Sequence, residues 1–376
     1  MMNSSDVLVI GGGLVGTAVA YGLAREGLKV GVLDEGDDAF RASRGNFGLV
    51  WVQGKGYGMS PYATWTRGSA TRWPMLRESL LDETDIDVQL QQPGGFHFCF
   101  SETEWQERAA RLQAIRDDLN GDYPFEMIRH AELKRRLPAI GPLVIGASYS
   151  PMDGHANPLK LLRALHTACG KRGVTMTSGV RAQRIERDGS GFVVEAGGLR
   201  FHAGRVVLAA GLGNRVLARQ VGIHAPVAPN RGQILIAERV AHFLDFPTTY
   251  VRQTDEGTVQ IGDSMEDVGF NDGVTADVVS HIAWRGMRSF PALGEVKLVR
   301  AWGALRVMSP DGFPIYQQSA SCPGAYVVTC HSGVTLAAAH ALRVAPWIAN
   351  DLAPAGIEHF SGERFLQTDK VFTHGH

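Results

Sequence analysis

The 376-residue chain contains few cysteines, and their scarcity excludes several kinds of site. Only four occur, and none forms a C-x-x-C pair: Cys99, Cys169, Cys322 and Cys330. A structural zinc site, a disulfide framework or an iron–sulfur cluster on this chain is therefore not expected, and no metal ligands are predicted. Such cysteine usage is typical of a reducing compartment, so the expected location is the cytoplasm.

The chain also lacks an excess of charge of either sign and a long uncharged apolar run. Its 37 Lys and Arg residues against 38 Asp and Glu residues give a formal net charge of −1, which argues against nucleic acid or an anionic membrane as a partner. The most apolar early stretch, Val7 to Ala24, carries several glycines and follows an acidic residue, so neither a signal peptide nor a transmembrane segment is predicted. The composition is globular, and the length fits about two domains.

Glycine, in contrast, is abundant at 45 residues, and the first group of glycines lies in a βαβ pattern. A β-branched strand, Asp6–Ile10, is followed by Gly11-Gly-Gly-Leu-Val-Gly16, a helical stretch at 17–26 and a second strand at 29–33. With an acidic residue at the end of the second strand, this order predicts a dinucleotide-binding unit.

Each position in this unit has an expected role. Gly11 permits the tight turn, Gly13 lets the backbone approach a pyrophosphate, and Gly16 lets the helix pack close to the strand. The helix N-terminus presents N–H groups and the positive end of its dipole to the phosphates. Asp34 is expected to accept hydrogen bonds from a ribose.

Further segments predict a mixed α/β architecture. Helices are predicted at 102–119, 157–173 and 334–349, and strands at 205–211, 233–238, 258–263 and 325–330. The charged helix surface at 108–118 is expected to face solvent unless a partner covers it. Since no repeat or linker separates two halves, a second domain is expected to be interleaved with the first.

Taken together, these segments resemble the FAD-dependent D-amino-acid oxidase and glycine oxidase family over nearly the whole chain. The resemblance is carried by the shared order of short motifs: Val9-Ile-Gly-Gly-Gly-Leu-Val-Gly16, Ser43-Arg-Gly-Asn-Phe-Gly48, Asn157-Pro158, Val206-Val-Leu-Ala-Ala-Gly211, Pro229-Asn-Arg-Gly-Gln233, Trp302-Gly-Ala-Leu-Arg306, Ser309-Pro-Asp-Gly-Phe-Pro314 and His331-Ser-Gly-Val-Thr335. Within the family, the segments 231–239 and 261–270 look like those of the flavin subunits of opine oxidase, D-hydroxyproline dehydrogenase and hydrogen cyanide synthase.

The resemblance implies an α/β (α+β) fold with two domains. A Rossmann-like FAD-binding domain, built from separated segments, is expected from residues 1–88, 150–222 and 303–376. A substrate-binding domain with an antiparallel sheet is expected from residues 89–149 and 223–302.

The resemblance also implies non-covalent FAD. Some sarcosine-oxidase-like relatives attach flavin through a cysteine, but Cys330 lies in the wrong local context for that. The expected FAD contacts combine the dinucleotide unit, a loop across the pyrophosphate and flavin, a strand backbone beside the adenine, and the start of the last helix: Gly11, Gly13, Leu14, Val15, Gly16, Asp34, Glu35, Ser43, Arg44, Asn46, Gly48, Val180, Ala210, Gly211, Arg306, Ser332, Gly333, Val334 and Thr335.

Three residues are expected to be catalytic. Arg306 is implied as the carboxylate-binding residue, because a guanidinium group matches a carboxylate bidentately; the alternative is pairing with a structural acid. Tyr250 is implied to close the substrate site, or else lies in a sheet core. His331 lies either beside the flavin or only at the cap of the last helix. Four residues are candidates for the substrate entrance, with ordinary packing as the alternative: Trp51, Gln53, Lys55 and Tyr57.

The implied function is oxidation of the C–N bond of an amino acid or N-substituted amino acid by hydride transfer to flavin, giving an imine that hydrolyses. Glycine, D-amino acids, D-hydroxyproline and opines are all candidate substrates. The resemblance implies a multi-subunit dehydrogenase, in which a partner carrying a second flavin or an iron–sulfur cluster accepts the electrons. Three alternatives stay open: a stand-alone oxidase that uses oxygen, an NAD(P)-dependent dehydrogenase, and a flavin subunit without its own amine site.

Overall fold

The computed structural model describes residues 3–36 and 42–366; the predicted end of the FAD-binding domain, 367–376, lies outside the described residues. The strands, in chain order, are β1 (Asn3–Ile10), β2 (Val30–Asp34), β3 (Leu49–Val50), β4 (Gly95–Cys99), β5 (Glu126–Arg129), β6 (Gly146–Ser150), β7 (Gly154–His155), β8 (Thr175–Ser178), β9 (Ala182–Asp188), β10 (Gly191–Ala196), β11 (Leu199–Leu208), β12 (Ala228–Arg239), β13 (Val251–Gln253), β14 (Thr258–Gly262), β15 (Leu298–Met308), β16 (Ile315–Gln318) and β17 (Ala325–Thr329). The α-helices are α1 (Leu14–Arg25), α2 (Ser60–Thr84), α3 (Glu102–Asp118), α4 (His130–Arg136), α5 (Pro158–Lys171), α6 (Asn214–Leu217), α7 (Ala276–Ser289), α8 (Ala337–Ala339) and α9 (Ala345–Asn350).

The central sheet is mostly parallel and contains the predicted βαβ unit. Its strands lie in the order β16-β17-β11-β1-β2-β8, and β10 pairs with β11 and with β9 in antiparallel fashion. Val7 and Val9 of β1 pack into one apolar cluster, with α1, α2 and α5, while Leu8 and Ile10 pack into another on the opposite face. Burial on both faces explains why β1 reads as a continuous apolar run.

A second layer holds two antiparallel sheets. One has the strand order β13-β14-β12-β15 and the other β4-β6-β5. They are joined where Phe96 N donates a hydrogen bond to Pro247 O (3.1 Å), and Ile282 of α7 packs into their shared core. The predicted fold class, a Rossmann-like sheet with a separate antiparallel layer, is confirmed. The division into domains stays a prediction; its boundary at 302/303 lies within β15.

Some element ends differ from the predicted ones. Helix α1 begins at Leu14 instead of Thr17, because the glycine-rich turn already supplies its N-cap at Gly13. The last helix begins at Ala337 instead of Val334, and a π-helical segment, His340–Val344, interrupts it. Residues 333–336 form turns before this helix, so most of the expected N-terminal N–H groups belong to a turn.

The sequence pattern did not predict α2, the longest helix. Pro74 lies inside it, and a proline there removes a backbone donor and disfavours a helix. Burial compensates for this cost, because Trp65, Trp73 and Leu76 are buried in the core cluster shared with α8. Tertiary packing therefore outweighs the local signal.

Candidate active site

The glycine-rich turn lies at the carboxyl edge of the central sheet, where β1 and β2 both end. Gly11 has a φ of +113°, and a side chain there would collide with the backbone of Ala209. A Cβ at Gly16 would collide with the carbonyl oxygen of Gly11. Because neither position has room for a side chain, both glycines are required. Gly13 is the N-cap of α1, whose first turn presents N–H groups at this edge.

Asp34 ends β2 and joins two turns of the same edge. Its carboxylate accepts hydrogen bonds from Gly12 N (2.6 Å) and Gly36 N (2.9 Å). Val180, which follows β8, donates its N–H to the carbonyl oxygen of Asp34 (3.0 Å). The residues predicted to contact ribose and adenine therefore lie together, while those roles stay predictions.

The loop 42–48 covers the N-terminus of α1. Ser43 Oγ accepts a hydrogen bond from Leu14 N (2.9 Å), and a Cβ added at Gly13 would lie 2.7 Å from the same Oγ atom. Further along, Asn46 Oδ1 accepts from Gly48 N (2.7 Å), and Gly48 has a φ of +92°. The loop that is predicted to cross the pyrophosphate therefore lies beside the glycine-rich turn, and its role stays a prediction.

Four further predicted contacts lie on loops after strands of this sheet or beside that turn: Glu35, Arg44, Ala210 and Gly211. Glu35 forms an ion pair with Arg181 (3.3 Å). Ala210 N donates to Asn214 Oδ1 (3.0 Å), and Gly211 has a φ of +57°.

The turn 332–335 connects this edge to a cavity. A Cβ added at Gly333 would lie 3.7 Å from Val15 Cγ2 and 3.8 Å from Leu14 Cβ, so the turn packs on the first turn of α1. Thr335 Oγ1 accepts from Trp51 N (3.1 Å) and donates to Leu49 O (3.1 Å). The same turn therefore also holds the strand that forms one wall of the cavity.

The cavity has a volume of about 880 Å³ and lies between these loops and the antiparallel layer. Its walls come from segments far apart in the sequence. Seven of the predicted site residues line it: Asn46, Tyr250, Arg306, His331, Ser332, Val334 and Thr335. Most of the remaining predicted residues lie at the sheet edge or in the loop beside it.

The described residues therefore fit FAD. The sheet edge supplies a helix N-terminus for a pyrophosphate and two glycines without room for a side chain, Gly11 and Gly16. The adjoining cavity supplies space and polar side chains for a ring system and a small substrate.

Arg306 lies on β15 and points into the cavity. One guanidinium nitrogen, Nη2, is ion-paired with the carboxylate of Asp263. The other, Nη1, donates to Ser264 O (2.9 Å) and to Asn230 Oδ1 (3.2 Å). Arg306 thus has the cavity position expected of a carboxylate-binding residue and also the acidic partner of the alternative interpretation, so its role stays a prediction.

Tyr250 also lines the cavity, immediately before β13. Its ring contacts the guanidinium of Arg285 (4.0 Å from the ring centroid) and the ring of His97 (centroids 5.6 Å apart). His97 Nδ1 is 2.9 Å from Thr249 Oγ1. Burial, and then the positive charge of Arg108 and neighbouring arginines, hold the pKa of His97 well below its usual value, so this imidazole is neutral near pH 7.

A polar cluster forms the opposite wall. Ser332 Oγ accepts hydrogen bonds from Lys55 Nζ (2.7 Å) and Tyr62 OH (3.1 Å), and it lies 3.1 Å from His331 Nε2. Burial lowers the pKa of Lys55 to about 8. Burial also raises the pKa of the Cys330 thiol to about 12, which keeps it protonated and unreactive.

Three of the four candidates for the substrate entrance line the cavity, and one does not. Trp51, Gln53 and Lys55 line the cavity, whereas Tyr57 is exposed and outside its lining. Asp153 orders this segment, because its carboxylate accepts from Val52 N, Gln53 N and Gln53 Nε2. Burial raises the pKa of Asp153 to about 7.

The expectation that the surface 108–118 faces only solvent is wrong at its first residue. Arg108 of α3 lines the cavity, where its Nη2 donates to Gln53 Oε1 (2.8 Å) and its Nε to Ser148 Oγ (2.9 Å). The signal was present: Arg108 precedes the buried Leu112 and Ile115 by four and seven positions, which puts all three on one helix face. Arg285 of α7 also lines the cavity and was not predicted. The same kind of signal was present, because Arg285 follows the buried Ile282 by three positions on the same helix face.

We also searched the described residues for metal sites, membrane-spanning helices and disulfides. Within them, no group of three or more potential metal ligands is present, and no helix has both the length and the apolarity needed to cross a membrane. All four cysteines are free thiols.

Comparison with known proteins points to FAD-dependent oxidoreductases. The family model described as FAD dependent oxidoreductase (DAO) matches residues 6–347. The chain is 43% identical to the opine oxidase B subunit of Rhizobium meliloti over 365 residues, which cover 97% of this chain and 98% of the relative. It is 44% identical to the opine oxidase B subunit of Agrobacterium tumefaciens (strain Ach5) over 365 residues, again 97% of this chain and 98% of the relative.

Among solved structures, glycine oxidase from Geobacillus kaustophilus superimposes with a TM-score of 0.85 at 24% identity, covering 92% of this chain and 95% of that one. L-proline dehydrogenase from P. horikoshii superimposes with the same TM-score at 19% identity, covering 98% and 99%. Both share the fold described above. The family predicted from the sequence is confirmed, and the NAD(P)-dependent alternative is not supported. The chain belongs to the FAD-dependent oxidoreductase (DAO) family.

Proposed function

We propose that the chain is the FAD-bearing component of a multi-subunit dehydrogenase that oxidises the C–N bond of an N-substituted amino acid of the opine class. The observation that carries this proposal is the 43–44% identity to two opine oxidase B subunits over nearly the full length of both chains. Glycine, D-amino acids and D-hydroxyproline are the competing substrates, because relatives of lower identity include glycine oxidases.

FAD would be held by Gly11, Gly13 and the first turn of α1 at the pyrophosphate, by Asp34 at the ribose, and by the turn 332–335 at the ring system. When bound, the flavin supplies the hydride acceptor for the substrate carbon attached to nitrogen. Non-covalent attachment is supported by the partly buried, protonated thiol of Cys330.

The protein side chains bind and orient the substrate. Arg306 would bind the α-carboxylate of the substrate, and Tyr250, which lines the same cavity, would close the substrate site. Ser332 fixes the ammonium of Lys55 and the imidazole of His331 in the facing wall. If the amine enters neutral, little further acid–base machinery is needed, and the lining can act mainly by orientation and electrostatics.

Anaerobic bleaching of the bound flavin tests this proposal. The purified holoprotein is mixed with opines, glycine, D-amino acids, proline and D-hydroxyproline, and flavin absorbance is followed in a stopped-flow instrument. We expect the fastest bleaching from an opine. Bleaching by glycine or a D-amino acid alone would contradict the substrate class, and no bleaching by any amine would contradict an amine site on this chain.

The electron acceptor requires a separate measurement. We propose that a partner protein with a second flavin or an iron–sulfur cluster accepts the electrons, as the names of the relatives, which are themselves subunits, suggest. Reoxidation of the reduced chain by dissolved oxygen is expected to be slow and to be accelerated by an artificial dye or a co-expressed partner. Fast reoxidation with full turnover and peroxide release would identify a stand-alone oxidase instead.

We also propose a cytoplasmic location. Four free thiols, two of them buried, support a reducing compartment. Cell fractionation of the tagged native protein tests this, and recovery with an extracytoplasmic marker would contradict it.

A further inference from the structure

The two positively charged ends of the cavity differ in how their charge is balanced. At the end where β12 and β15 pair, each arginine has an acidic partner. Arg306 is paired with Asp263, and the buried Arg231 is paired with Glu266 (2.6 Å). This end is therefore close to electrically neutral before any substrate enters.

The end formed by α3 and α7 has no such compensation. Within the described part of the chain, neither Arg108 nor Arg285 has a carboxylate within ion-pair distance. Arg285 Nη2 donates to the backbone carbonyl oxygens of Gly262 (2.6 Å) and Asp263 (2.7 Å), while its Nε is buried without a hydrogen-bond partner. Arg108 donates only to uncharged oxygens, those of Gln53 and Ser148.

Acidic groups reach these arginines only from a distance. Asp263 attracts Arg285, but its carboxylate is already paired with Arg306. Asp153 attracts Arg108, but burial raises the pKa of Asp153 to about 7, so the carboxyl group is partly protonated at neutral pH. Two partly buried guanidinium groups in one cavity without counter-charges are costly, and an anionic ligand would offset that cost.

The groups around these arginines suit a carboxylate. The Tyr250 ring lies against Arg285, and its hydroxyl has no hydrogen-bond acceptor among the described residues. His97, neutral near pH 7, contributes a ring nitrogen to the same wall. A planar guanidinium, a phenol hydroxyl and an imidazole offer several donors to one carboxylate.

The two ends are close enough for one small molecule. Arg306 bonds to the side chain of Asp263 and the carbonyl of Ser264, and Arg285 bonds to the carbonyls of Gly262 and Asp263. Both guanidinium groups thus contact the same three-residue segment and both line the same cavity.

We infer that Arg285, Arg108 and Tyr250 form a second anion-binding subsite, which takes a carboxylate on the N-substituent of the substrate while Arg306 takes the α-carboxylate. The substrate class is then a secondary amine that carries two carboxylates. This inference rests on the proposed function for the identity of the ligand, but the subsite itself can be tested without turnover.

Binding of two matched thioethers to the FAD-loaded protein tests the subsite. Thiodiacetate carries one carboxylate on each side of a sulfur atom, and (methylthio)acetate carries a single carboxylate. Neither compound can form an imine. Dissociation constants are measured by calorimetry and by the change in flavin absorbance. We expect thiodiacetate to bind wild-type protein about 30-fold more tightly than (methylthio)acetate, as one additional charge-assisted carboxylate contact predicts.

The variant Arg285→Met should remove most of this preference, because it deletes the charge at the second subsite. Arg285→Lys should leave an intermediate preference, since the charge remains but the planar pair of donors is lost. Arg288→Met is the matched control: Arg288 lies one turn further along α7, stacks on Trp284 (4.4 Å) and does not line the cavity, so both affinities should be unchanged.

The outcomes separate the subsite from the proposed function. Equal affinity of wild-type protein for both thioethers, or an equal loss of both affinities in Arg285→Met, would overturn the subsite. A preference for thiodiacetate that Arg285→Met abolishes supports it, even if no amine bleaches the flavin and the proposed function fails. If Arg285→Met does not fold, as judged by flavin content and thermal unfolding, an unchanged preference in Arg285→Lys and Arg108→Met would overturn it.

Discussion

The sheet edge that would hold the dinucleotide and the cavity that would hold the substrate are built in opposite ways. At the sheet edge, six consecutive residues, 11–16, supply the turn and the helix N-terminus, and their backbone geometry is almost fully constrained. In the cavity, the important side chains come from α3, α7, β15 and several loops, and their charges depend on pairing between distant residues. The comparison teaches that a binding motif can be local while specificity is a property of the assembled layers.

The largest expected effect is the loss of FAD when the glycine-rich sheet edge is altered. Gly16→Ala should abolish FAD retention, because the added Cβ would collide with the carbonyl oxygen of Gly11 and displace the turn. Gly170→Ala is the matched control: Gly170 lies inside α5 with open space around it, so FAD should be retained and the free energy of unfolding should rise by roughly 0.5–1 kcal/mol. Flavin content per chain and urea unfolding measure both. Full flavin content in Gly16→Ala would contradict the placement of the turn.

The next effect concerns the balanced end of the cavity. Arg306→Ala should weaken binding of any carboxylate substrate about 100-fold, because the ligand loses a bidentate partner and then faces the unpaired carboxylate of Asp263. FAD content should remain unchanged. Arg300→Ala, an exposed position on the same strand, is the control. Michaelis constants for the best substrate decide the question, and an unchanged value in Arg306→Ala would show that Arg306 serves only Asp263.

A pH measurement sharpens the contrast at the opposite wall. The folded pKa of Lys55, about 8, lies below its unfolded value, so folding disfavours its protonated form. Below pH 8, Lys55 is protonated in the folded and the unfolded state, and its burial lowers the free energy of unfolding by roughly 3 kcal/mol at most. This destabilisation fades as the pH rises from 8 towards 10.5. Lys55→Met should therefore stabilise the apoprotein at pH 7 and flatten its stability between pH 8 and 10. Urea unfolding at several pH values measures this.

The control for that measurement is Lys171→Met, an exposed change in the last turn of α5 that should leave the pH dependence as in wild type. A Lys55→Met protein with the wild-type slope between pH 8 and 10 would mean that Lys55 is solvated in solution.

The smallest expected effect is none. Cys330 is partly buried and its thiol stays protonated, so Cys330→Ala should leave flavin content unchanged. Acid precipitation should release all the flavin from wild type and variant alike, as measured by fluorescence of the supernatant and by the mass of the protein. Flavin that stays with the wild-type polypeptide after precipitation would contradict non-covalent attachment.

Sequence reasoning reached the sheet edge because its signals are local. The spacing of Gly11, Gly13 and Gly16 between two apolar strands requires only chain geometry, and the observed turn follows it closely. Reasoning was less reliable where packing decides the outcome, as in α2, which forms despite Pro74, and in the delayed start of the last helix at Ala337. In α2, burial against other elements outweighs local preference.

The sequence by itself determined the family, the glycine-rich edge that is predicted to bind FAD, and the candidates Arg306, Tyr250 and His331. Only the tertiary structure decided that Arg306 is paired with Asp263, 43 positions away, and that Arg108 of a charged helix enters the same cavity as Arg285. The physical reason is that a glycine turn is specified by the backbone of a few neighbours, whereas the charge state of a cavity is specified by which distant side chains the packed layers bring within a few ångströms of one another.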